Sequence, residues 1–386
     1  MAINSQCLNS QLENYSGKER VARTIEHLGY VQIDTISVVE RSHHQVLWAR
    51  CPDYHKQMLH DLQAKDRKIF EYWAHAAAFL PMQDYRFYRY KMKFYSQREE
   101  ETKWRKENKE LLEEIIIRIR NEGSLSSKDF KAPNDFKRGL WWNWKPAKTG
   151  LEILFLIGEL MISERRNFLR VYDLTERILP KNIDTKEPTL EELANFYIKR
   201  TLRTLGVATL NDFFFGFRKK DDVKIELEKL VEAGEVTAIE IEGIEETTFY
   251  ALTSSLNKPK KPTELHLLSP FDNLTIRRAW LEKVFGFEYT LECYVPPSKR
   301  KFGYFSFPIL YGNSFIGTLD PKADRLAKTL IVRQIHLKDD IKIDEKLIET
   351  LASKLKVFAN FNACQTIVVE QTKPEKIKQK LQKLLS

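Results

Sequence analysis

The sequence predicts an α+β protein, mainly α, with three tandem winged helix-turn-helix units followed by a small β-rich domain. Three observations predict it. The order helix, helix, helix, two-stranded wing appears near the start of the chain, and the same order recurs twice more, which is hard to obtain by chance. Beyond about residue 256 the composition shifts towards Phe, Tyr, Gly and Pro in short apolar runs. A chain of 386 residues is also too long for one ordinary core.

The first unit, 1–82, opens with "SGKERVARTIEHLGY". Ser16 is placed to cap a helix, Val21, Ile25 and Leu28 recur at helical spacing, and Gly29 is placed to end it. The next run is rich in β-branched residues, Val31, Ile33, Thr35, Ile36, Val38 and Val39, and reads as a strand. Side chains two apart on a strand share a face, so Gln32 and Asp34 are expected to point the same way. Two helical stretches follow, "VVERSHHQVLWAR" and "YHKQMLHDLQA", and then a strand pair, "DRKIFEYWAHAAAFLP".

Residues 83–122 form a charged helical connector, one long helix or two in series. The second unit, 123–182, has the apolar helix "TGLEILFLIGELMIS" and the wing "RRNFLRVYDLTERILP". The third, 183–255, runs through "ELANFYIKRTLRTLG", "TLNDFFFGF" and "VKIELEKLVEAGEVTAIEIEG" to a closing strand. A polar, proline-bearing linker, "NKPKKPTE", leads into the β-rich domain, 256–337. A C-terminal helical segment, 338–386, ends in the Lys-rich "EKIKQKLQKLLS".

Lys plus Arg number 63 against 54 Asp plus Glu, a net charge of +9 that favours a polyanionic partner, nucleic acid before an anionic membrane. No apolar run approaches the roughly 18 residues a membrane-spanning helix needs, and the first residues lack a secretory pattern. A cytoplasmic protein, nucleoid-associated in a prokaryote, is expected. Cys7, Cys51, Cys293 and Cys364 are scattered and form no C-x-x-C pair, so they read as reduced thiols. No Gly-rich phosphate loop is present, which argues against nucleotide-driven motors and Rossmann enzymes.

Several residues are candidates for chemistry. "RFYRYKMKFYSQR" interleaves Arg86, Arg89, Lys91, Lys93 and Arg98 with Phe87, Tyr88, Tyr90, Phe94 and Tyr95, a pattern suited to phosphates and bases together. An amphipathic helix with packed aromatics and solvated cations explains it equally. His43, His44, Cys51 and His55 invite a metal reading, but adjacent helical histidines point about 100° apart and no fourth ligand has a suitable spacing. His75 reads by default as a hydrogen-bonded core or wing histidine. Gln32 and Asp34 satisfy backbone groups where a strand meets a turn, or else the amide positions a water or sugar and the carboxylate activates water or stabilises a cationic transition state.

The stretches "LGYVQIDTISVVERSHHQVLWARCPDY", "FEYWAHAAAFLPM", "LLSPFDNLTIRR" and "ECYVPPSKRKFGYFSFPILYG" together resemble the winged-helix DNA glycosylases of the YcaQ/AlkZ family, over nearly the whole chain. The resemblance implies three winged helices around a concave basic surface and a barrel-like β domain. It implies a Gln-x-Gln or Gln-x-Asp catalytic motif, which here falls on Gln32 and Asp34, so the chain is closer to the Gln-x-Asp, YcaQ-like branch. It also implies monofunctional hydrolysis of the N-glycosidic bond of N7-alkylated guanine in duplex DNA, including unhooking of interstrand crosslinks, without metal or organic cofactor.

The chemistry explains why one carboxylate is enough. Ordinary glycosidases need an acid for the leaving group as well as a second carboxylate. An N7-alkylguanine is already cationic, so the enzyme mainly supports the oxocarbenium-like sugar and aligns water, an electrostatic contribution on the order of 10²–10³ in rate per preorganised contact. A crosslinked base cannot swing fully into a closed pocket. An open basic channel is therefore expected, lined by His43, His44, Tyr72, Trp73, His75, Arg86 and Arg89, with Arg277 and Arg278 gripping phosphates and Asp272 pairing with one of them. A monomer without membrane contact is expected. The competing readings are a non-enzymatic winged-helix DNA regulator and a scaffold for acidic proteins.

Overall fold

The computed structural model describes residues 1–9, 12–130, 146–217, 219–256 and 261–385, so half of the expected linker, at 257–260, and part of the expected second unit, at 131–145, lie outside the described residues. The chain is mixed α+β, 45% helix and 21% strand. It divides into two compact units, one of Met1–Tyr54, His75–Ala77 and Tyr197–Ser386, the other of His55–Ala74 and Ala78–Phe196.

Helix α1 (Gly17–Leu28) buries Val21, Ala22, Ile25 and Leu28 along one stripe, and Gly29 ends it in the left-handed region at φ 73. Ser16 sits at the cap position, yet the Gly17 N–H is taken by the Asp53 carboxylate. Strand β1 is only Val31–Gln32, so Asp34 lies beyond it and the same-face argument does not reach it. After α2 (Ser42–Trp48) and α3 (Lys56–Ala64), the aromatic run forms β2 (Ile69–Trp73) and β3 (Ala77–Pro81), as its aromatic and apolar character predicts.

The connector is three helices rather than one or two: α4 (Tyr85–Gln97), α5 (Glu99–Glu107) and α6 (Lys109–Glu122). Extended Arg98, at φ −62 and ψ 139, breaks the first junction. Strand β4 (Leu125–Ser126) precedes α7 (Pro146–Leu156), β5 (Leu160–Arg166) and β6 (Leu169–Leu174), in a sheet ordered β4-β6-β5. The helix read through "GELMIS" stops early because Gly158 takes φ +85, and Leu160 to Ser163 enter β5 instead. A short α8 (Thr175–Ile178) and α9 (Leu190–Leu205) follow, and then α10 (Lys220–Glu232) with its hairpin β7 (Val236–Ile241) and β8 (Ile244–Leu252).

The remainder builds a curled half-barrel. Its strands are β9 (Leu265–Leu267), β10 (Phe307–Tyr311), β11 (Ser314–Asp324) and β12 (Thr329–Leu337), with α11 (Arg278–Phe285) between β9 and β10. The chain then crosses through α12 (Glu345–Phe361) to β13 (Thr366–Val369) and β14 (Thr372–Lys373), both parallel to β12, and closes in α13 (Lys378–Leu385). The sheet thus takes strands from a segment expected to be helical, because the four-residue run "TIVV" gains its strand character only from the partner that a helical crossover brings to it.

Each unit has a charged centre. In the first, Arg50 and Asp272 form a bidentate pair at 2.6 and 2.8 Å with both side chains at 0% exposure. The remaining Arg50 donors go to Gln6 O, Gln6 Oε1 and Val46 O, which satisfies the guanidinium. In the second, Glu71, with its side chain at 0% exposure, accepts from Arg165 and Arg170, and Arg170 also reaches Glu152. Burial alone would raise the Glu71 carboxyl, but the two guanidinium groups hold it below its ordinary value.

Asp272→Asn or Arg50→Met leaves a buried charge unpaired and should destabilise the fold by about 3–5 kcal/mol. Urea denaturation checks this against the exposed pair Arg23–Glu19, whose loss should leave the midpoint nearly unchanged. Glu71→Gln should cost a similar 3 kcal/mol or so at neutral pH. Since the Glu71 pKa is depressed, that advantage is full above the ordinary value of 4.5 and disappears as pH falls through the lowered one. Wild-type and Glu71→Gln denaturation midpoints should therefore converge on acidification.

Candidate active site

The Gln-x-Asp motif straddles the end of β1, with Gln32 its last residue and Asp34 just beyond it. Gln32 is 7% exposed, and its Oε1 lies 2.8 Å from His75 Nε2, which fixes the amide with its NH2 turned the other way. The backbone is held alongside by Ile33 N–H donating to Ala77 O at 2.8 Å. His75 is itself wedged between the rings of Tyr30, edge-on at 5.0 Å, and Phe215 at 4.5 Å. It is neither a core histidine nor a free one: its hydrogen bond goes to the motif glutamine.

Asp34 is half-buried. Its Oδ1 accepts from Ile36 N–H at 2.7 Å, while Oδ2 has no hydrogen-bond partner among the described residues. The backbone-satisfying role and an available carboxylate oxygen therefore coexist in one side chain. Burial raises the Asp34 carboxyl above the ordinary value, and the Ile36 N–H partly offsets this. Asp34 in turn acts on the loop before β10. The Cys293 thiol is raised first by its own burial and then by Asp34, and the Tyr294 hydroxyl is raised first by Cys293, with Asp34 adding to it.

Behind the motif lies a layer built by "SPFDNLTIRR". Asn273 donates to Tyr30 O at 3.0 Å, Thr275 closes the turn onto Ser269 O at 2.7 Å, and Ser269 donates to Ser42 Oγ at 2.9 Å. Arg277 is 9% exposed, donates to Asp212 O at 2.7 Å and lies 4.3 Å over the Phe215 ring, also bonding Tyr30. Arg200 covers Tyr30 from another side at 5.8 Å. Gly29 makes that possible, because a Cβ there would fall 2.5 Å from Arg200 Cδ.

The expected phosphate grip is thus corrected in two respects. Arg277 is a buried support of the motif's strand, and Asp272 pairs with Arg50 rather than with Arg277 or Arg278. Arg278 lies half-exposed beside Tyr289, at 5.8 Å from its ring. His43 is 3% exposed and stacks on His44 at 4.2 Å, whereas half-exposed His44 bonds Tyr54 at 2.6 Å. Cys51 is buried beside Thr24, and among the described residues no three His, Cys, Asp or Glu side chains gather as a metal site.

The second unit holds the other candidates. Tyr72 is 1% exposed, its hydroxyl bonded to Leu156 O and its ring against Phe155 and Tyr88, so it is a core residue. Half-exposed Trp73 has its carbonyl bound by Lys91. Arg86 makes a bidentate pair with Glu192 at 3.0 and 2.9 Å and meets Asp184, Arg89 donates to Thr185 O, and Lys93 pairs with Glu187. Phe87 stacks on Phe196 at 4.0 Å. The basic–aromatic stretch is therefore largely an intramolecular seam with residues 184–196.

Residues 25–361 match the AlkZ-like family, described as DNA glycosylase AlkZ-like. The fold is similar to that of the Streptomyces sahachiroi DNA glycosylase AlkZ, with a TM-score of 0.62 and 16% identity over 96% of this chain and 98% of that one. The family match spans most of the chain and takes in Gln32, Asp34, His75 and the segment behind them. This chain belongs to the AlkZ-like DNA glycosylases, enzymes of DNA repair.

Proposed function

We propose that this glycosylase hydrolyses the N-glycosidic bond of N7-alkylated, cationic guanine in duplex DNA, including guanines held in interstrand crosslinks, and leaves an abasic site. The observation that carries the reading is Asp34: a half-buried carboxylate with Oδ1 bonded to Ile36 N–H and, among the described residues, no hydrogen-bond partner on Oδ2 and no second carboxylate bonded to it. That is what a cationic leaving group requires, since the base departs without prior protonation and the enzyme stabilises positive charge on the sugar.

In this reading Asp34 Oδ2 faces the anomeric carbon or the attacking water. Gln32, its oxygen held by His75, directs its NH2 towards the sugar or that water. His75 is a positioning residue for Gln32. Among the described residues no lysine is bonded to Gln32 or Asp34, in keeping with hydrolysis rather than Schiff-base lyase chemistry. Partly exposed His44, Trp73 and Arg278 and exposed Arg89 are the better placed of the expected DNA contacts, while His43, Tyr72 and Arg277 act from the core. We read the three helix–hairpin pairs, α3 with β2–β3, α7 with β5–β6 and α10 with β7–β8, as winged-helix units of a monomer that uses the +9 charge to track the phosphate backbone.

Asp34→Asn should reduce release of N7-methylguanine from duplex DNA by about 10²–10³-fold while DNA affinity is kept. Equal activity of the two proteins would remove Asp34 from the mechanism. Since the anion is the active form and burial raises its pKa above the ordinary 3.8, base release should fall on acidification with a midpoint above that value. His75→Phe should slow release by about 10- to 100-fold through loss of Gln32 alignment. The Gln32→Ala/His75→Phe double variant should be no slower than Gln32→Ala alone, whereas additive losses would give His75 an independent role.

A further inference from the structure

Tyr294 is 85% exposed, on the loop between α11 and β10. A lone exposed aromatic needs no explanation by itself. Here, however, the loop that carries it is tied down. Glu292, 7% exposed, accepts backbone N–H groups from Lys301, Phe302 and Gly303 at 2.8, 2.7 and 3.1 Å. Arg300 Nε donates to Val295 O at 2.8 Å with its guanidinium 4.9 Å from the Tyr304 ring, and Val295 N–H closes a turn onto Glu292 O. Pro296 and Pro297 follow and remove further backbone freedom. Asp320 holds the next two amides, Tyr304 N–H at 3.1 Å and Phe305 N–H at 3.2 Å.

The loop is thus braced on both sides of Tyr294 by buried carboxylates while the ring itself stands in solvent. The strand that carries Asp320, β11, also holds the segment just after Asp34, with Ala323 N–H donating to Val38 O at 3.0 Å and neighbouring Arg325 donating to Val39 O at 2.8 Å, so one strand braces both the Tyr294 loop and the half-buried acid's segment. Exposed Lys299 adds a cation to the same loop. A rigidly presented aromatic beside a group that must reach a deoxyribose has a specific use. The glycosidic bond is shielded in stacked duplex, and apolar side chains inserted between base steps unstack them at a cost of a few kcal/mol that stacking on the inserted ring offsets.

We propose that Tyr294 is a DNA wedge: its ring enters the duplex next to the lesion, stacks on the neighbouring base and opens the step so that Asp34 reaches the sugar. This deepens the reading above and rests on it for the identity of the lesion. The wedge acts on the neighbour of the damaged base, so it serves a guanine that a crosslink prevents from flipping. Tyr294→Phe keeps the stacking face, and Tyr294→Ala removes it.

The test uses duplex DNA with N7-methylguanine and 2-aminopurine as its immediate neighbour. Fluorescence is read in the full-length Asp34→Asn protein, which binds without turnover, and single-turnover base release in the protein with Asp34 intact. Thermal melting confirms that the exposed substitutions leave the fold unchanged. The wedge predicts a rise in 2-aminopurine fluorescence on binding, kept by Tyr294→Phe and lost by Tyr294→Ala, with release slowed about tenfold in the Ala variant alone, the size of one lost stacking contact. No rise with the parent protein, or an equal rise with Tyr294→Ala, overturns it. A fluorescence rise without release of N7-methylguanine by the wild type would leave the wedge standing and sink the lesion assignment, so the two failures are distinguishable.

Discussion

The Arg50–Asp272 pair is the interaction from which the active site hangs. Removing two charges from water costs several kcal/mol per ion, and attraction between them recovers this only when every donor and lone pair is also satisfied. Here that condition is met: Gln6 and Val46 take the remaining guanidinium donors, and Leu274 N–H binds the carboxylate at 3.0 Å. The turn centred on Asp272 is thereby fixed, and from it Asn273 holds Tyr30 O while Arg277 reaches Asp212 O and the Tyr30 ring. Tyr30 immediately precedes the strand that ends at Gln32. A buried ion pair is weak as a source of stability but strong as a fixer of geometry, and the geometry it fixes here is the position of the motif.

Local patterns carried much of the fold. The stripe of α1, its Gly29 stop and the hairpins after α3, α7 and α10 follow from apolar spacing and turn residues, because each is decided by interactions a few positions apart. The failures are non-local or conformational. The early end of α7 depends on Gly158 adopting positive φ, which an apolar run conceals. Strands β13 and β14 exist because α12 returns the chain to β12, and nothing within "TIVV" reveals that partner. The three-helix connector depends on single non-helical residues at its breaks, extended Arg98 and Asn108 at φ −121 and ψ 31.

Within the site, the identities of Gln32 and Asp34 were legible through resemblance, but their supports were not. An arginine in a sequence does not disclose whether its counter-charge is a phosphate or a carboxylate elsewhere in the chain. Arg86, Lys93 and Arg277 all looked like DNA contacts, and each is bonded within its own unit, to Glu192, to Glu187 and to the Asp212 carbonyl. Tyr72 was misread for the complementary reason: a tyrosine suits both a stacking surface and a core with one hydroxyl acceptor, and Leu156 O supplies the acceptor. His75 was placed at the wing and its partner was not foreseen, since the bond to Gln32 joins residues 43 positions apart.

Under the proposed mechanism, the half-burial of Asp34 is a compromise between two opposing requirements. In bulk water a carboxylate about 4 Å from a cationic sugar gains only about 1 kcal/mol, whereas at an effective dielectric near 20 the same pair gains about 4 kcal/mol. The difference of about 3 kcal/mol is roughly a hundredfold in rate. Deeper burial would strengthen the attraction further, but it would also raise the carboxyl until the acid holds its proton at working pH and the charge is gone. The bond from Ile36 N–H works against that rise because it favours the anion, and it occupies only Oδ1. The turn that takes Asp34 out of the strand is therefore compatible with the proposed role: it supplies the Ile36 amide, which favours the charged form of a partly desolvated carboxylate and leaves Oδ2 without a hydrogen-bond partner among the described residues.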